Sequence, residues 1–277
     1  MNKLKAILIG RGYWGQILIP YIKEQFELVD IVGKDCNIKE LSKQTDIFII
    51  ATPIETHYKI TKECLECKKH VMVEKPITTN YIQAVELKKL AEKNNVKLVV
   101  DYVEMFSPSK LLLKSLLLKI GELKSIIMNQ SQYGRFGLES VDFLIGCHQL
   151  SILSLLTNLK NLKYKQTDII KNNNYLVSST ICFNNNTLHG KIFLSLLSKE
   201  KYKEIVITGT KGVIHFNAFA LDTIRINLYD RSLHQEFSFN EKDNLTYAIQ
   251  FFSDVIQNKL KSNIDIACEI TKILESI

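Results

Sequence analysis

The stretch Lys5-Ala6-Ile7-Leu8-Ile9-Gly10-Arg11-Gly12-Tyr13-Trp14-Gly15 decides the fold of the first half of this 277-residue chain. Its first five residues are almost wholly apolar, as expected of a central strand in a parallel sheet. The three glycines then occupy the glycine positions of a G-x-G-x-x-G turn that leads into a helix. Because such a turn brings helix N-terminal amides to a phosphate group, the stretch predicts a dinucleotide site.

Strands and helices alternate through the first hundred residues. The hydrophobic pattern predicts further strands at 28–32, 46–51, 70–73 and 97–103, with helices at 13–25, 57–69 and 80–94. Alternation at this spacing is typical of a parallel α/β sheet. We therefore predict a Rossmann-type, dinucleotide-binding domain over residues 1–107.

The second half of the chain has a different pattern. Long alternating or β-branched runs are separated by turn signals such as Asn184-Asn185-Asn186 and Gly209-Thr210-Lys211-Gly212. This pattern predicts an open-faced antiparallel sheet in an α+β domain over residues 108–277, for substrate binding and oligomerisation. Helices predicted at 141–159, 245–259 and 266–277 are expected to cover one face of that sheet.

Composition narrows the class of protein. Hydrophobic residues make up 46% of the chain and charged residues 23%, which is ordinary for a globular protein. The net charge is +7, but the lysines are scattered among acidic residues, so we expect no nucleic-acid partner. We also expect no membrane partner, because no apolar run is long enough to span a bilayer. The six cysteines form no disulfide framework or zinc pattern, so a reducing cytoplasm and no metal are expected.

A second motif, Glu74-Lys75-Pro76, follows the predicted strand at 70–73. Since the carboxyl ends of parallel strands are where such sheets bind ligands, Lys75 is a candidate acid–base group, with an ordinary surface lysine as the alternative. A lysine beside a positively charged nicotinamide should have its pKa lowered from about 10.4, toward the range useful for acid–base catalysis.

The end of the second strand bears on cofactor choice. Rossmann domains that bind NAD usually have an acidic residue there, which binds the ribose 2′-hydroxyl. This chain has Gly33 and Lys34 instead, a combination that suits a 2′-phosphate. The sequence therefore favours NADP, while Asp35 keeps NAD open.

His148 is a second candidate catalytic residue. It lies in an otherwise apolar stretch, 144–150, of a predicted helix. A lone histidine on an apolar helix is more often a core residue than a catalytic one, so the residue pattern alone leaves both interpretations open.

These motifs together resemble the Gfo/Idh/MocA family of NAD(P)-dependent oxidoreductases, in order and over essentially the whole chain. The G-x-G-Tyr-Trp-Gly form of the first turn is common in members that act on nucleotide-linked sugars. The other matching segments are Ala51-Thr52-Pro53 with His57, Glu74-Lys75-Pro76, Val103-Glu104-Met105-Phe106-Ser107-Pro108 (similar to V-E-R-F-x-P), Gly146-Cys147-His148 (similar to the end of D-x-G-x-H) and Thr208-Gly209-Thr210-Lys211-Gly212.

The resemblance implies hydride transfer between nicotinamide and a hydroxyl- or keto-bearing carbon of a sugar or nucleotide sugar, in a homodimer or homotetramer. It implies catalytic roles for Lys75 and His148, and substrate contacts from Tyr102, Glu104 and His148. The residues implied to bind the cofactor are Gly10, Gly12, Tyr13, Trp14, Gly15, Lys34, Ala51, Thr52, Pro53, His57, Glu74, Lys75 and Pro76.

Two departures from the family pattern keep alternatives open. The aspartate of D-x-G-x-H falls on Leu144, and Asp142, two positions earlier, should point elsewhere on a helix. The segment between Lys34 and Asp46 is also shorter than in relatives. A member that binds cofactor or sugar without turnover, serving as a regulator, is therefore one alternative. A reductase of a non-sugar ligand, such as a tetrapyrrole or an imine, is another.

Overall fold

The computed structural model describes residues 3–134, 139–218, 222–240 and 243–277. The chain forms two compact units, one made of Met1–Phe106 with Asp243–Glu275 and the other of Ser107–Lys242 with Ser276–Ile277. The first boundary lies one residue from the predicted one. The predicted continuous second domain differs from this division, because residues 243–275 return to the first unit.

The first unit is built on a five-stranded sheet in the order β2-β1-β3-β4-β5, with every neighbouring pair parallel. This confirms the predicted parallel α/β sheet. Its strands are β1 (Lys5–Ile9), β2 (Glu27–Val32), β3 (Ile47–Ile50), β4 (His70–Glu74) and β5 (Leu98–Asp101). The helices between them are α1 (Tyr13–Gln25), α2 (Ile38–Leu41), α3 (Ile54–Glu66) and α4 (Tyr81–Lys93).

The central strands are apolar because both of their faces are buried. All four residues of β3, for example, are at most 2% exposed. A polar residue begins α4: the side chain of Asn80 accepts a hydrogen bond from the backbone N–H of Gln83. The apolar runs made the strands predictable, and this cap made the start of α4 predictable.

The strand order reverses at β1, which has β2 on one side and β3 on the other. In open parallel sheets, ligands bind beyond the carboxyl ends of the strands at such a reversal. Only the four-residue α2 lies between β2 and β3, as the short segment after Lys34 led us to expect. The end of β1, where the glycine turn begins, is therefore the position at which this fold is expected to bind a ligand.

Two C-terminal helices, α7 (Asn244–Ile256) and α8 (Ile264–Ser276), belong to the first unit. Phe252 of α7 is in the same apolar cluster as Phe26, with ring centroids 5.9 Å apart. The side chain of Asn263 accepts from the N–H of Val100 and donates to its carbonyl oxygen. Our prediction that these helices cover the antiparallel sheet is wrong, because an amphipathic pattern fixes the helix and not the surface it packs on.

The second unit holds an eight-stranded sheet in the order β13-β12-β11-β10-β6-β9-β8-β7. The sheet is mostly antiparallel, as predicted, but β6 and β9 pair in parallel. Its strands are β6 (Leu123–Tyr133), β7 (Lys163–Asn172), β8 (Tyr175–Asn184), β9 (His189–Ser195), β10 (Leu197–Gly209), β11 (Gly212–Ala218), β12 (Asp222–Leu228) and β13 (His234–Phe239). The strand β7 was not predicted.

Helices α5 (Pro108–Leu116) and α6 (Cys147–Leu156) belong to this second unit. Alternate residues of its central strands are buried: Ile205 and Ile207 of β10 are wholly buried, while Val206 between them is half-buried. This alternation is the pattern of a sheet with one covered face. None of the helices in the described part of the chain combines the length and apolar content needed to cross a membrane.

Candidate functional site

The parallel sheet brings most of the predicted cofactor-binding residues to one edge. Register pairs Ile9 of β1 with Val32 of β2 and Ile50 of β3, so these three strands end level with one another. The segments that follow the strands therefore start side by side. They carry Gly10, Lys34, Ala51, Thr52, Pro53, Lys75 and Pro76, with Glu74 as the last residue of β4.

The glycine turn forms a close-packed cradle. Gly10 has a φ of +133°, and a Cβ there would lie 2.2 Å from the carbonyl oxygen of Ala51. A Cβ on Gly15 would lie 2.0 Å from the carbonyl oxygen of Gly10. A Cβ on Gly12, in contrast, would meet nothing within 4 Å. Two glycines thus allow the turn to pack on the sheet, and the third leaves backbone open to a ligand.

Helix α1 begins at this cradle, and its N-terminus is not neutralised from within the described chain. Gly12 is the N-cap residue, so no side chain caps the helix, and the first turn has no acidic residue. Its N–H groups and partial positive charge can therefore receive an anion. Tyr13 and Trp14, in that first turn, are 75% and 42% exposed and lie edge to face with centroids 6.0 Å apart.

His57 lies behind the edge of the sheet and does not face solvent. It is 2% exposed, its Nδ1 lies 2.9 Å from the carbonyl oxygen of Pro76, and its Nε2 lies 2.7 Å from that of Thr52. A neutral imidazole has one N–H and can donate to only one of these oxygens at a time. Burial lowers the pKa of His57, and the charge of Lys75 acts in the same direction. His57 therefore ties two segments of the site together from behind.

The segment after β3 is fixed by its own hydroxyl groups. The hydroxyl of Thr56 lies 2.7 Å from the hydroxyl of Thr52 and 2.7 Å from the carbonyl oxygen of Pro53. Pro53 is the N-cap residue of α3. These contacts hold Thr52 and Pro53 in place at the start of the helix, beside the glycine cradle.

A cavity of about 350 Å³ opens beyond β2, between the segment after that strand and α3. Two lysines line it, Lys34 and Lys59, and both are exposed. Three acidic residues, Asp35, Glu55 and Glu63, also line the cavity. Lys59 was not predicted as a site residue, because nothing in its helical sequence shows that it lies across from Lys34.

Lys75 follows β4 and is half-buried. Its backbone N–H lies 3.3 Å from Oε2 of Glu74. Glu74 lies opposite Asp101, the last residue of β5, which is 2% exposed. Burial raises the pKa of Glu74 to about 7 and that of Asp101 well above its usual range, while the charge of Lys75 opposes both shifts. Sequence reasoning missed Asp101, although an acidic residue ending an apolar strand was a signal.

The two predicted substrate residues of the first unit follow β5. Tyr102 comes directly after the strand, and its side chain is wholly buried. Glu104 is half-buried in the short 3₁₀ helix Val103–Phe106. Both are on the segment that leaves the carboxyl end of the sheet, but the burial of Tyr102 makes it part of the packing there.

His148 belongs to the second unit, in the first turn of α6, and is half-buried. A π-helical turn, Asp142–Gly146, precedes it, and such turns occur frequently at functional sites. Leu144, at the position of the family aspartate, is 7% exposed. Asp142 accepts hydrogen bonds from the side chains of Ser179 and Gln166, so its carboxylate is directed to strands of the sheet.

Asp142 is therefore no substitute for the missing aspartate in this arrangement. Within the described ranges, no group of three or more histidine, cysteine or acidic side chains is placed to hold a metal ion. The candidate residues are thus the glycine cradle and Lys75 with its neighbours in the first unit; His148 is a separate candidate in the second.

Comparison with known proteins identifies the first unit. Residues 24–102 match the oxidoreductase family described as having an NAD-binding Rossmann fold, known as GFO_IDH_MocA. Residues 24–102 are therefore similar to the NAD-binding Rossmann domain of these oxidoreductases. The glycine cradle and the open N-terminus of α1 fit the dinucleotide that this domain is named for, since Gly12 leaves room for a pyrophosphate.

Curated relatives match part of the chain. It is 32% identical over 117 residues to the scyllo-inositol 2-dehydrogenase (NADP(+)) IolW of Bacillus subtilis, covering 42% of this chain and 32% of that protein. It is 26% identical over 164 residues to the uncharacterized oxidoreductase sll0816 of Synechocystis, covering 52% of this chain and 41% of that protein. The chain thus spans less than half the length of these relatives.

Solved structures match the fold over nearly the whole chain. UDP-N-acetylglucosamine 3-dehydrogenase GnnA from Acidithiobacillus ferrooxidans superposes with a TM-score of 0.90 at 15% identity, covering 100% of this chain and 97% of that one. KijD10, a 3-ketoreductase from Actinomadura kijaniata solved with TDP-benzene and NADP, gives a TM-score of 0.86 at 14% identity, with the same coverage. At these identities the likeness establishes the fold alone.

Proposed function

We propose that the chain is an NAD(P)-dependent oxidoreductase that transfers a hydride to or from a sugar or nucleotide-sugar carbon bearing a hydroxyl or keto group. The observation that carries this proposal is the position of Lys75. It follows β4 directly, at the same sheet edge as the Gly10–Gly15 cradle. An ionisable amine at the ligand-binding edge of a dinucleotide domain is what alcohol oxidation or ketone reduction requires.

The names of similar proteins support this substrate class. IolW is a dehydrogenase of an inositol, and GnnA is a dehydrogenase of a nucleotide-linked sugar. KijD10 is a ketoreductase solved with a TDP compound and NADP. All three names describe chemistry at a carbon–oxygen bond, so a polyhydroxylated substrate is the class to test first.

Different residues of the chain would bind the cofactor and transfer the proton. The backbone at Gly12 and the N-terminus of α1 would hold the pyrophosphate, while Thr52 and Pro53 would line the path toward the nicotinamide. The bound nicotinamide supplies or accepts the hydride. Lys75 takes the proton from the substrate hydroxyl during oxidation and returns it during reduction. We also propose His148, in the second unit, as a substrate-binding residue.

We propose NADP as the preferred cofactor, with NAD as the alternative. Lys34 and Lys59 both line the cavity beyond β2, where the adenosine ribose would lie, and each offers a cation to a 2′-phosphate. Asp35 and Glu55 line the same cavity and would oppose a phosphate. The balance favours NADP because no acidic residue directly follows β2, which ends at Val32.

The proposal is tested by turnover. Oxidation of NADPH and NADH is measured with a panel of keto-sugars and nucleotide-linked keto-sugars, and reduction of NADP and NAD with inositols and the matching alcohols. Lys75→Ala should lower kcat by at least a hundredfold. Lys89→Ala, on the exposed face of α4, is the matched control and should retain wild-type turnover. Intact turnover in Lys75→Ala would overturn the mechanism.

A second candidate function is a regulator that binds cofactor or sugar without turnover. Leu144 at the position of the family aspartate favours this alternative, as does the engagement of Asp142 with Ser179 and Gln166. Micromolar binding of NADPH, measured by fluorescence, together with no turnover across the sugar panel would select the regulator. Turnover with any sugar would reject it.

We also propose that the protein self-associates as a homodimer or homotetramer. The β10 strand supports this, because its alternate residues Tyr202, Glu204 and Val206 remain half-exposed along a long strand. A half-exposed face of this size is what a sheet-to-sheet contact would bury. Size-exclusion chromatography with light scattering tests it, and a monomer at micromolar concentration would contradict it.

A further inference from the structure

The carboxyl groups of Glu74 and Asp101 meet at the edge of the parallel sheet, beside Lys75. Register places the two residues opposite each other, at the last positions of the neighbouring strands β4 and β5. Neighbouring strands are about 4.8 Å apart, and paired side chains on one face are in contact. Asp101 is 2% exposed, so its carboxyl group has left water.

The hydrogen-bond partners of Asp101 decide its protonation. Both of its carboxyl oxygens are buried, and no donor in the described residues reaches either of them. The residue opposite it in the sheet is Glu74. Since an ionised carboxylate has no hydrogen to donate, the two carboxyl groups can form a hydrogen bond only if one of them carries a proton and donates it to the other.

The charge of the pair depends on pH in the neutral range. Burial raises the pKa of Glu74 to about 7, and the pKa of Asp101 lies well above its usual range for the same reason, with Glu74 as the next cause. The charged group that acts on both is Lys75, which lowers each pKa. The pair therefore holds two protons below about pH 7 and one proton above it, where it carries a single negative charge.

We propose that Asp101 is a positioning residue: it shares a proton with Glu74 and thereby fixes the orientation and the charge of the Glu74 carboxyl group beside Lys75. The meaning of this charge for catalysis rests on the proposed acid–base role of Lys75. A single negative charge attracts the ammonium group of Lys75, and a second one would attract it more strongly. The shared proton therefore limits the negative charge beside Lys75 to one.

A merely structural pair would not influence the ionisation of Lys75. The ionisation of its Nζ can be followed without cofactor or substrate, from the rate of acetylation by acetic anhydride across pH 5–10, read by peptide mass spectrometry. In the wild-type protein we expect the rate to show an inflection near pH 7, where the pair gains its charge and Lys75 becomes less reactive.

Asp101→Asn is the decisive variant, since an amide of the same size donates to Glu74 without a titrating proton. We expect the inflection to stay near pH 7, because burial, the main cause of the raised pKa of Glu74, is unchanged and the amide still donates to it. The infrared carbonyl band of a protonated carboxyl group should be present at pH 8 in the wild-type protein and lost in Asp101→Asn. Asp168→Asn, an exposed residue with a φ of +52° that asparagine tolerates, is the control and should match wild type in both readouts.

No acetylation inflection near pH 7 and no protonated-carboxyl band at pH 8 in the wild-type protein, or an equal band at pH 8 in Asp101→Asn, would overturn the proposal. Glu74→Gln gives a second route if Asp101→Asn folds poorly, since it removes the group that loses its proton near pH 7 and should abolish the loss of band intensity between pH 6 and pH 8. The absence of turnover with every sugar would reject the proposed function. It would leave this proposal to be judged by the acetylation curves and the infrared band, which need no turnover.

Discussion

Gly15 packs on Gly10 so closely that there is no room for one carbon atom between them. A Cβ built on Gly15 would lie 2.0 Å from the carbonyl oxygen of Gly10, well inside any van der Waals contact. Helix α1 can approach β1 at this distance only because neither position has a side chain. The cradle is thus a packing requirement of the fold as well as a place for a ligand.

We therefore predict different outcomes for two alanine substitutions in the same turn. Gly15→Ala should destabilise the protein by about 1–3 kcal/mol or more, because the backbone at Gly10 must shift. Gly12→Ala should cost less than about 1 kcal/mol, since its Cβ meets nothing within 4 Å. The Gly12→Ala substitution should nevertheless weaken NADPH binding at least tenfold, because its methyl group would fill the space for the pyrophosphate. Urea denaturation and fluorescence titration measure the two effects, and equal stability of both variants would contradict this account.

The bridge made by His57 gives a second prediction. His57→Asn shortens the side chain, so it can no longer reach both Pro76 and Thr52, and the carbonyl oxygen that accepts from the imidazole is at risk of losing its donor. We expect a loss of about 1–3 kcal/mol in the free energy of unfolding. Since Pro76 adjoins Lys75, kcat should fall more than KM rises. His189→Asn, on an exposed position of β9, is the control and should change neither. A pure KM effect would indicate that His57 contacts a ligand instead.

The cavity beyond β2 gives a third prediction, about cofactor preference. Lys34→Ala and Lys59→Ala should each raise the Kd for NADPH by about tenfold and leave the Kd for NADH nearly unchanged, because each removes one charge-assisted contact to the 2′-phosphate. Lys39→Ala, on α2 and outside the cavity lining, should alter neither. A parallel loss of NADH affinity would mean that these lysines hold the adenosine rather than its phosphate.

The carboxyl pair makes folding stability depend on pH. Unfolded carboxyl groups release their protons near pH 4, whereas the folded pair retains both until about pH 7. Between these values the folded state binds more protons than the unfolded state, so the stability of the wild-type protein falls as pH rises. We predict that Asp101→Asn gains on the order of 2 kcal/mol over the wild-type protein at pH 8 relative to pH 5.

Chemical denaturation at the two pH values measures this difference. Asp168→Asn should have the same pH dependence as the wild-type protein, since Asp168 is exposed. A variant Asp101→Asn that loses stability equally at both pH values would show that the carboxyl group serves packing alone.

The parallel sheet of the first unit could be predicted because each of its strands and helices has its own local sequence pattern. Strands β1 and β3 are buried on both faces and therefore read as unbroken apolar runs, while Asn80 and Asn94 mark the ends of α4. The strand β7 could not be predicted in this way. It is an edge strand, mostly exposed and rich in lysine, and it is defined by its pairing with β8 rather than by its own pattern.

The candidate site likewise contains some residues that the sequence could identify and others that it could not. The glycine turn and Glu74-Lys75-Pro76 are contiguous, so sequence alone identified them. The roles of His57 and Asp101 depend on partners elsewhere in the fold: the carbonyl oxygen of Pro76 is nineteen positions from His57, and Glu74 lies on another strand. Such partners are set by the packing of separate elements, which a linear pattern does not encode.

The return of α7 and α8 to the first unit has a consequence for how the protein is made. Part of that unit's core comes from Leu245, Ile249 and Phe252, which leave the ribosome after the entire eight-stranded sheet has been synthesised. The dinucleotide domain therefore cannot complete its core during the translation of its own first hundred residues. The nascent chain must hold β1–β5 with apolar surface uncovered while the second unit emerges, which makes this interval the one in which a chaperone would be needed.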